Sequence, residues 1–334
     1  MAATTMKRIA ADLGVSVTTI SKVLNHHTDI GPETRARVLA RVEELGYRPN
    51  AVARSLSLRR SHTLGVIIPD LMHSFFVEVV ASLEAVVSAR GYGLLLCSSG
   101  EDARKERREI EMLRSRQVDG IVLASANATG NTKLLRDLAG LGTALVMIDR
   151  DDHPKVQCHR VLTDDTAVGR LATAHLIRRG CRSVGHIAGP PIVHARRRAD
   201  GYRQAMAAAR LPVRDNWIVD GGFMEGDGYR AMQTLLESPT KLDAVFAVND
   251  PAAIGAMKAI WEAGLRVPED IAVVGAGDVA YSDLIRVPLT TVRWSKSDLG
   301  RTAAELILDQ IDSGIDVAPR RVIVPPELVV RASA

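Results

Sequence analysis

Only 4% of the 334 residues are aromatic, three are cysteine (Cys97, Cys158 and Cys181), and no run of 18 or more apolar residues occurs. The missing apolar run argues against a membrane-spanning helix. The start, MAATTMKRIAADLG, has a basic pair but not the long apolar stretch of a signal peptide, so the expected compartment is the cytoplasm. Three widely spaced thiols suit neither a disulfide framework nor a zinc site, and buried free thiols are expected. Also absent are a GxxxxGK[ST] phosphate loop, a well-placed GxGxxG, a GxSxG elbow, HExxH and paired-thiol motifs. GAGD at Gly275–Asp278 lacks the spacing of a dinucleotide fingerprint. Without these motifs the case for an enzyme is weak, and no metal or cofactor is expected.

What is present is an ordinary globular composition, 46% hydrophobic and 25% charged, in a chain long enough for two or three domains. Its charge is unevenly placed. Residues 1–60 hold 10 of the 43 Lys/Arg and 5 of the 39 Asp/Glu, a net +5, and the rest of the chain has a net −1. A small basic module on a neutral body points to an anionic partner met by one end only.

That module reads as three short helices. Met6, Ile9, Ala10 and Leu13 recur at helical spacing, Gly14 interrupts, and a second helix spans about Val17 to Leu24 with Ser16 placed to cap it. The third runs from Pro32, suited to a first turn, to Gly46, with Val38, Leu39, Val42 and Leu45 as its apolar stripe. Helix, turn and second helix form the helix-turn-helix pattern, whose second helix enters the major groove. With Val15, Ile20, Val23 and Leu24 turned inward, Val17, Thr18, Ser21 and Lys22 face out. The Val17 side chain and the Thr18 methyl can meet thymine methyls, and Lys22 can donate to guanine. Ser16, Thr19, Asn25, Arg35 and Arg48 are placed to hold phosphates. The competing reading is a small helical domain whose outward residues are merely solvated.

From Leu64 the texture changes to short apolar strands alternating with amphipathic helices, first at 64–69, 92–97, 119–124 and 143–149, then again at 183–189, 217–221, 243–249 and 270–275. Such strands belong to parallel sheets covered on both faces, and two successive series predict two similar subdomains. A late helix near 297–313 and late strands near 321–330 are left unplaced. Open parallel sheets bind ligands past the carboxyl ends of their strands. The residues there are Asp70, Met72, Ser74, Phe75, Phe76, Asp149, Arg150, His194, Arg196, Arg198, Phe223, Asn249, Asp250 and Asp278. Aromatic faces beside carboxylates, amides and arginine suit a small polar ligand such as a sugar. For Asp149 and Arg196, helix capping or pairing across domains is a strong competing reading.

The stretch TMKRIAADLGVSVTTISKVLNHHTDIGPETRARVLARVEELGYRPNAVARSL resembles the N-terminal region of the LacI/GalR family of bacterial transcriptional regulators. The resemblance extends over essentially the whole chain. It implies a helix-turn-helix headpiece (1–48), a hinge helix and linker (49–62), and a periplasmic-binding-protein-like effector and dimerisation domain (63–334). The last would divide into subdomains of about 63–161 plus 292–320 and about 162–291 plus 321–334. Val17, Thr18 and Lys22 match the family's base-reading positions. Asn50, Ala53, Arg54 and Leu56 fall in the hinge that pairs in the minor groove, with Leu56 as the wedging leucine and Ala53 the small residue beside it. In the effector domain Asp149, Arg198, Phe223 and Asp250 match recurrent effector contacts, and Phe75 and Phe76 an aromatic wall. Two departures stand out: Gly277 where aspartate is common, and Trp294 where glutamine is frequent.

The resemblance thus implies a homodimeric repressor of double-stranded, near-palindromic operator DNA, controlled by a small effector. A sugar or sugar derivative is expected, with a purine or other polar metabolite as the alternative. A sugar-binding protein without a genetic role and an enzyme are the competing classes. The final PPELVVRASA carries no heptad tail to build a tetramer.

An apolar wedge costs a few kcal/mol of unstacking, repaid by contacts to the bent duplex. Leu56→Ala should therefore weaken specific operator binding more than nonspecific binding in a titration against both DNAs. Equal losses would remove Leu56 from the wedge position.

Overall fold

The computed structural model describes residues 5–24, 27–47, 60–126, 129–239, 241–314 and 317–334. The expected contacts Asn25, Arg48, Asn50, Ala53, Arg54 and Leu56 lie outside these residues. The chain divides into two compact units, 1–61 and 62–334.

In the first unit, α1 (Met6–Leu13), α2 (Val17–Leu24) and α3 (Pro32–Glu44) enclose a core of Ile9, Ala10, Ile20, Val23 and Val38. Ser16 caps α2, its Oγ accepting from Thr19 N at 3.0 Å. Pro32 opens α3 as its pattern predicted. Leu39 departs from the expected stripe and is 43% exposed. The three-helix core is filled by one residue of α3, Val38, with Val42 and Leu45 packed at its margin.

The second unit is built from two six-stranded sheets. The first contains β1 (Thr63–Ile68), β2 (Gly93–Ser98), β3 (Gly120–Leu123), β4 (Ala144–Ile148), β5 (His159–Thr163) and β11 (Arg321–Val324), in the order β11-β5-β4-β3-β1-β2. All its pairs are parallel. Alternate residues serve two cores: Leu64, Val66 and Ile68 point to one, and Ile67 to the other with Ile110, Leu113 and Leu135. Covering helices are α4 (Ser74–Ala89), α5 (Ala103–Ser115), α6 (Thr132–Gly140) and α11 (Lys296–Ser313). The second sheet has the order β12-β10-β9-β8-β6-β7, from β6 (Val184–Ala188), β7 (Ile218–Asp220), β8 (Ala244–Ala247), β9 (Ala272–Ala276), β10 (Thr290–Arg293) and β12 (Glu327–Val329). Only β12 runs antiparallel. Its helices are α7 (Asp165–Arg178), α8 (Val193–Ala208), α9 (Glu225–Leu236) and α10 (Asp250–Glu262).

Two strands were not evident from apolar runs. β5 begins with His159 and Arg160, yet all five of its residues are buried. The Arg160 guanidinium is satisfied by Asp151 and by the carbonyls of His153, Val156 and Cys158. β10 opens with buried Thr290 and Thr291, whose hydroxyls donate to Ala334 O and Asp250. These partners make polar strand residues affordable inside the sheets.

The chain crosses between the lobes three times, after β5, after β10, and between β11 and β12. This corrects the expected last boundary at 320/321: residues 321–324 pair with β5 in the first sheet. Pro325 and Pro326 follow β11; with no N–H to give a ladder, they end it and mark the crossing.

In the second lobe α7 and α8 approach backbone to backbone. A Cβ built on Gly169 would stand 2.0 Å from Arg198 O, and one on Gly201 would stand 2.1 Å from Thr166 O. The glycines thus fix the position of α8, which carries Arg198. Gly201→Ala should cost about 1–3 kcal/mol or more through overpacking, read as a lowered melting midpoint of the 62–334 unit. An unchanged midpoint would show that the helices do not approach this closely.

Candidate functional site

Each unit carries one of the expected surfaces. On the first, Val17 and Thr18 are exposed at the start of α2, and Ser21 and Lys22 lie half-buried one turn on. The Lys22 ammonium pairs with Asp29, whose carboxyl it holds below the usual carboxylate range. Ser16 and Thr19 are joined hydroxyl to hydroxyl at 2.9 Å, so Ser16 serves the helix cap first. The Arg35 guanidinium donates to His27 O, Arg37 reaches Leu13 O at 3.2 Å, and Arg41 pairs with Asp12 at 2.5 Å. The α3 arginines thus tie that helix to α1 and to the loop that follows α2.

In the second unit the carboxyl ends of the strands meet at a cleft cavity of about 240 Å³. The first lobe supplies Asp70, His73, Phe75 and Phe76 after β1, Glu101 after β2, and Asp149 with Arg150 after β4. From the second lobe come His194 and Arg198 on α8, Phe223 and Asp227 after β7, Asn249 after β8, Gly277 after β9 and Trp294 after β10.

Aromatic rings form the walls. Phe75 meets Phe76 edge-on at 5.1 Å and Trp294 at 5.5 Å, and His194 stacks on Phe223 at 5.2 Å and 18°. Both arginines are already committed. Arg150 forms a bidentate pair with Glu101, 2.7 Å on each arm, and donates to Ser125 O at 2.9 Å. Arg198 holds Asp165 at 2.9 Å and Val248 O at 2.8 Å, with its guanidinium over the Trp294 ring at 5.0 Å. Burial pushes the Asp165 carboxyl up, to about 7, against the pull of Arg198.

Asn249 sets the hydrogen-bond polarity of the cleft. Its Oδ1 accepts from Ala252 N at 3.0 Å, capping α10, so its Nδ2 is the donor to Phe223 O at 2.9 Å and to His73 Nε2 at 3.2 Å. His73 Nε2 therefore accepts, and the proton lies on Nδ1. Burial lowers the pKa of His73 and drives that of His194 well below the ordinary value, which favours the neutral rings. His73 Nδ1, His194 Nδ1, Arg150 Nε and Trp294 Nε1 are all buried without a hydrogen-bond partner among the described residues. Asp149, at φ +63, adds a carboxylate 3.7 Å from Arg150 Nε.

Of the expected effector contacts, Phe75, Phe76, Asp149, His194, Arg198, Phe223 and Asn249 come together here. Two do not. Asp250 is fully buried, its carboxylate accepting from Val279 N at 2.8 Å, Ser282 Oγ at 2.9 Å and Thr291 Oγ1 at 2.5 Å, so it braces α10 against the 278–282 loop and β10. Asp278 points to Arg331 at 2.7 Å and Arg293 at 3.9 Å, outside the cavity, while Gly277 (φ +124) lines it. Met72 and Arg196 are exposed. Sequence reasoning missed His73, Glu101 and Asp227. Glu101 follows β2 and obeys the same strand-end rule that found the others.

A basic helix-turn-helix unit and a two-lobed ligand-binding unit in one chain define a DNA-binding regulator that responds to a small molecule. Residues 5–50 match the family model described as bacterial regulatory proteins, lacI family, and residues 173–334 match a periplasmic binding protein-like domain. The chain is 36% identical to the HTH-type transcriptional repressor PurR of Pasteurella multocida, over 98% of both chains. It is 34% identical to the ribose operon repressor of Escherichia coli, over 99% of both. Among solved structures it is similar to the transcriptional regulator CelR in complex with cellobiose (31% identity, TM-score 0.76, 99% of this chain and 100% of that one). The lac repressor dimer bound to operator is also similar (25% identity, TM-score 0.86, 99% of each). The chain belongs to the lacI family of bacterial regulatory proteins and is a DNA-binding transcription regulator.

Removing the Asp250 carboxylate strands three buried donors. Asp250→Ala should therefore cost roughly 3 kcal/mol or more of stability. Asp149→Asn, which tolerates the left-handed backbone, should cost little stability but much ligand affinity in a thermal-shift titration. The reverse ordering would return Asp250 to the ligand site.

Proposed function

We propose that the protein is a homodimeric repressor that reads a near-palindromic operator and is controlled by a neutral hydroxylated ring, a sugar or sugar derivative, bound in the cleft. One observation carries the ligand reading. Four residues that line a cavity walled by aromatic faces each bury a polar atom with no hydrogen bond among the described residues: His73 Nδ1, His194 Nδ1, Arg150 Nε and Trp294 Nε1. Buried polar groups seldom go unpaired, so a hydroxylated molecule that pairs them while its apolar face stacks on the rings is the complementary ligand.

Val17, Thr18, Ser21 and Lys22 are the proposed base readers. Lys22 must leave Asp29 to reach a guanine, so the ion pair competes with DNA. The neighbouring Ser16, Thr19 and Arg35, with Asn25 and Arg48, are proposed to hold phosphates, and Asn50, Ala53, Arg54 and Leu56 to enter the minor groove. The protein works where the DNA is, in the cytoplasm, by binding rather than turnover, as relatives named as repressors support. Control requires unequal effector affinity for the DNA-competent and incompetent dimers; a tenfold inequality is about 1.4 kcal/mol.

Arg198→Ala is best made with Asp165→Asn, so that no carboxylate is left buried and unpaired. The double variant should keep operator affinity within about threefold and lose the effector-induced change, a coupling on the order of 1–3 kcal/mol. Operator binding measured with and without a panel of neutral sugars checks this. An intact response in the variant would remove Arg198 from the effector site.

A further inference from the structure

A second cavity, of about 300 Å³, lies at the opposite end of the first lobe from the cleft, where β4 and β5 begin. Arg136, Lys155, Gln157, Cys158, His159 and Gln310 line it. We infer that this cavity is a binding site for a phosphate-bearing small molecule, separate from the cleft.

Three features support the assignment. The first is charge: two cations and no carboxylate line the cavity among the described residues, and neither cation has an ion-pair partner among them. The cleft differs, with four lining carboxylates against two arginines, both of which are paired.

The second is the polarity of the neutral groups. Arg320 N donates to His159 Nδ1 at 3.0 Å. With Nδ1 accepting and burial holding the ring neutral, the proton is on Nε2. That Nε2–H is unpartnered among the described residues, although His159 is only 1% exposed. Gln310 Oε1 likewise accepts from Leu145 N at 3.1 Å, so its NH₂ is the end left to donate. The lining therefore offers donors in excess of acceptors.

The third is chemistry. A phosphate carries up to two negative charges and three terminal acceptor oxygens, which suits two cations and several N–H donors better than a sugar hydroxyl, itself a donor. The 149–158 segment connects the two sites: Asp149 and Arg150 line the cleft, and Lys155, Gln157 and Cys158 line this cavity.

Titration calorimetry of the full chain at constant ionic strength tests the site with inorganic phosphate and, separately, glycerol 3-phosphate. Arg136→Gln/Lys155→Gln removes the two exposed cations and leaves the core untouched. Arg104→Gln/Arg108→Gln removes the same charge elsewhere in the lobe. Phosphate affinity should fall about tenfold or more in the first variant and stay near wild type in the second. Tighter binding of glycerol 3-phosphate would identify an organic phosphate as the ligand, and equal or weaker binding would identify free phosphate. Equal affinity in wild type and Arg136→Gln/Lys155→Gln would overturn the site. So would equal losses in both variants, or binding of both probes weaker than about 10 mM.

Discussion

The guanidinium of Arg198 is held from three directions. Below it, α7 and α8 touch backbone to backbone through Gly169 and Gly201, which sets the height of α8 over the sheet. Beside it, Asp165 on α7 accepts two of its donors, and Val248 O at the end of β8 takes a third. Above it lies Trp294, on the connection by which the chain leaves the second lobe. A buried pair of this kind gives little net stability, because desolvation offsets most of the Coulomb attraction. Its effect is geometric: one charge registers a helix crossing, a strand end and an interlobe connection against a single cavity.

Much of this was legible in the residues. Continuous apolar runs such as LGVII and ALVMI reported parallel strands buried on both faces, and the reset of the series near residue 183 reported a second lobe. The strand-end rule then placed Phe75, Phe76, Asp149, His194, Arg198, Phe223 and Asn249 on one cavity. Strands that bury polar residues were not legible. HRVLT and TTVR look solvated until the preceding loop folds back, giving Arg160 the Asp151 carboxylate and the Val156 carbonyl, and until Asp250 and the Ala334 carbonyl arrive from distant parts of the chain to satisfy the threonines.

The same limit explains the two misplaced carboxylates. Asn249 and Asp250 are adjacent and alike in polarity, yet successive residues at a helix start point in different directions. One faces the cleft and the other faces Thr291. At Gly275–Asp278 a one-residue displacement of the aspartate carries it from the cavity to Arg331 and Arg293, and leaves a glycine on the wall. Side-chain direction at a turn depends on backbone dihedrals that a residue pattern does not encode.

The three crossings after β5, after β10 and at Pro325–Pro326 have a mechanical consequence. A single connection would leave two lobes free to swivel about it, whereas three connections constrain one another. They permit a rotation that bends all three together and oppose twisting or sliding, which would stretch at least one of them. Ligand shape and stacking, whatever their detail, are thereby reduced to one opening angle, the variable on which hinge closure operates. A receptor with one such mechanical variable can exchange its ligand chemistry without redesigning the coupling to DNA.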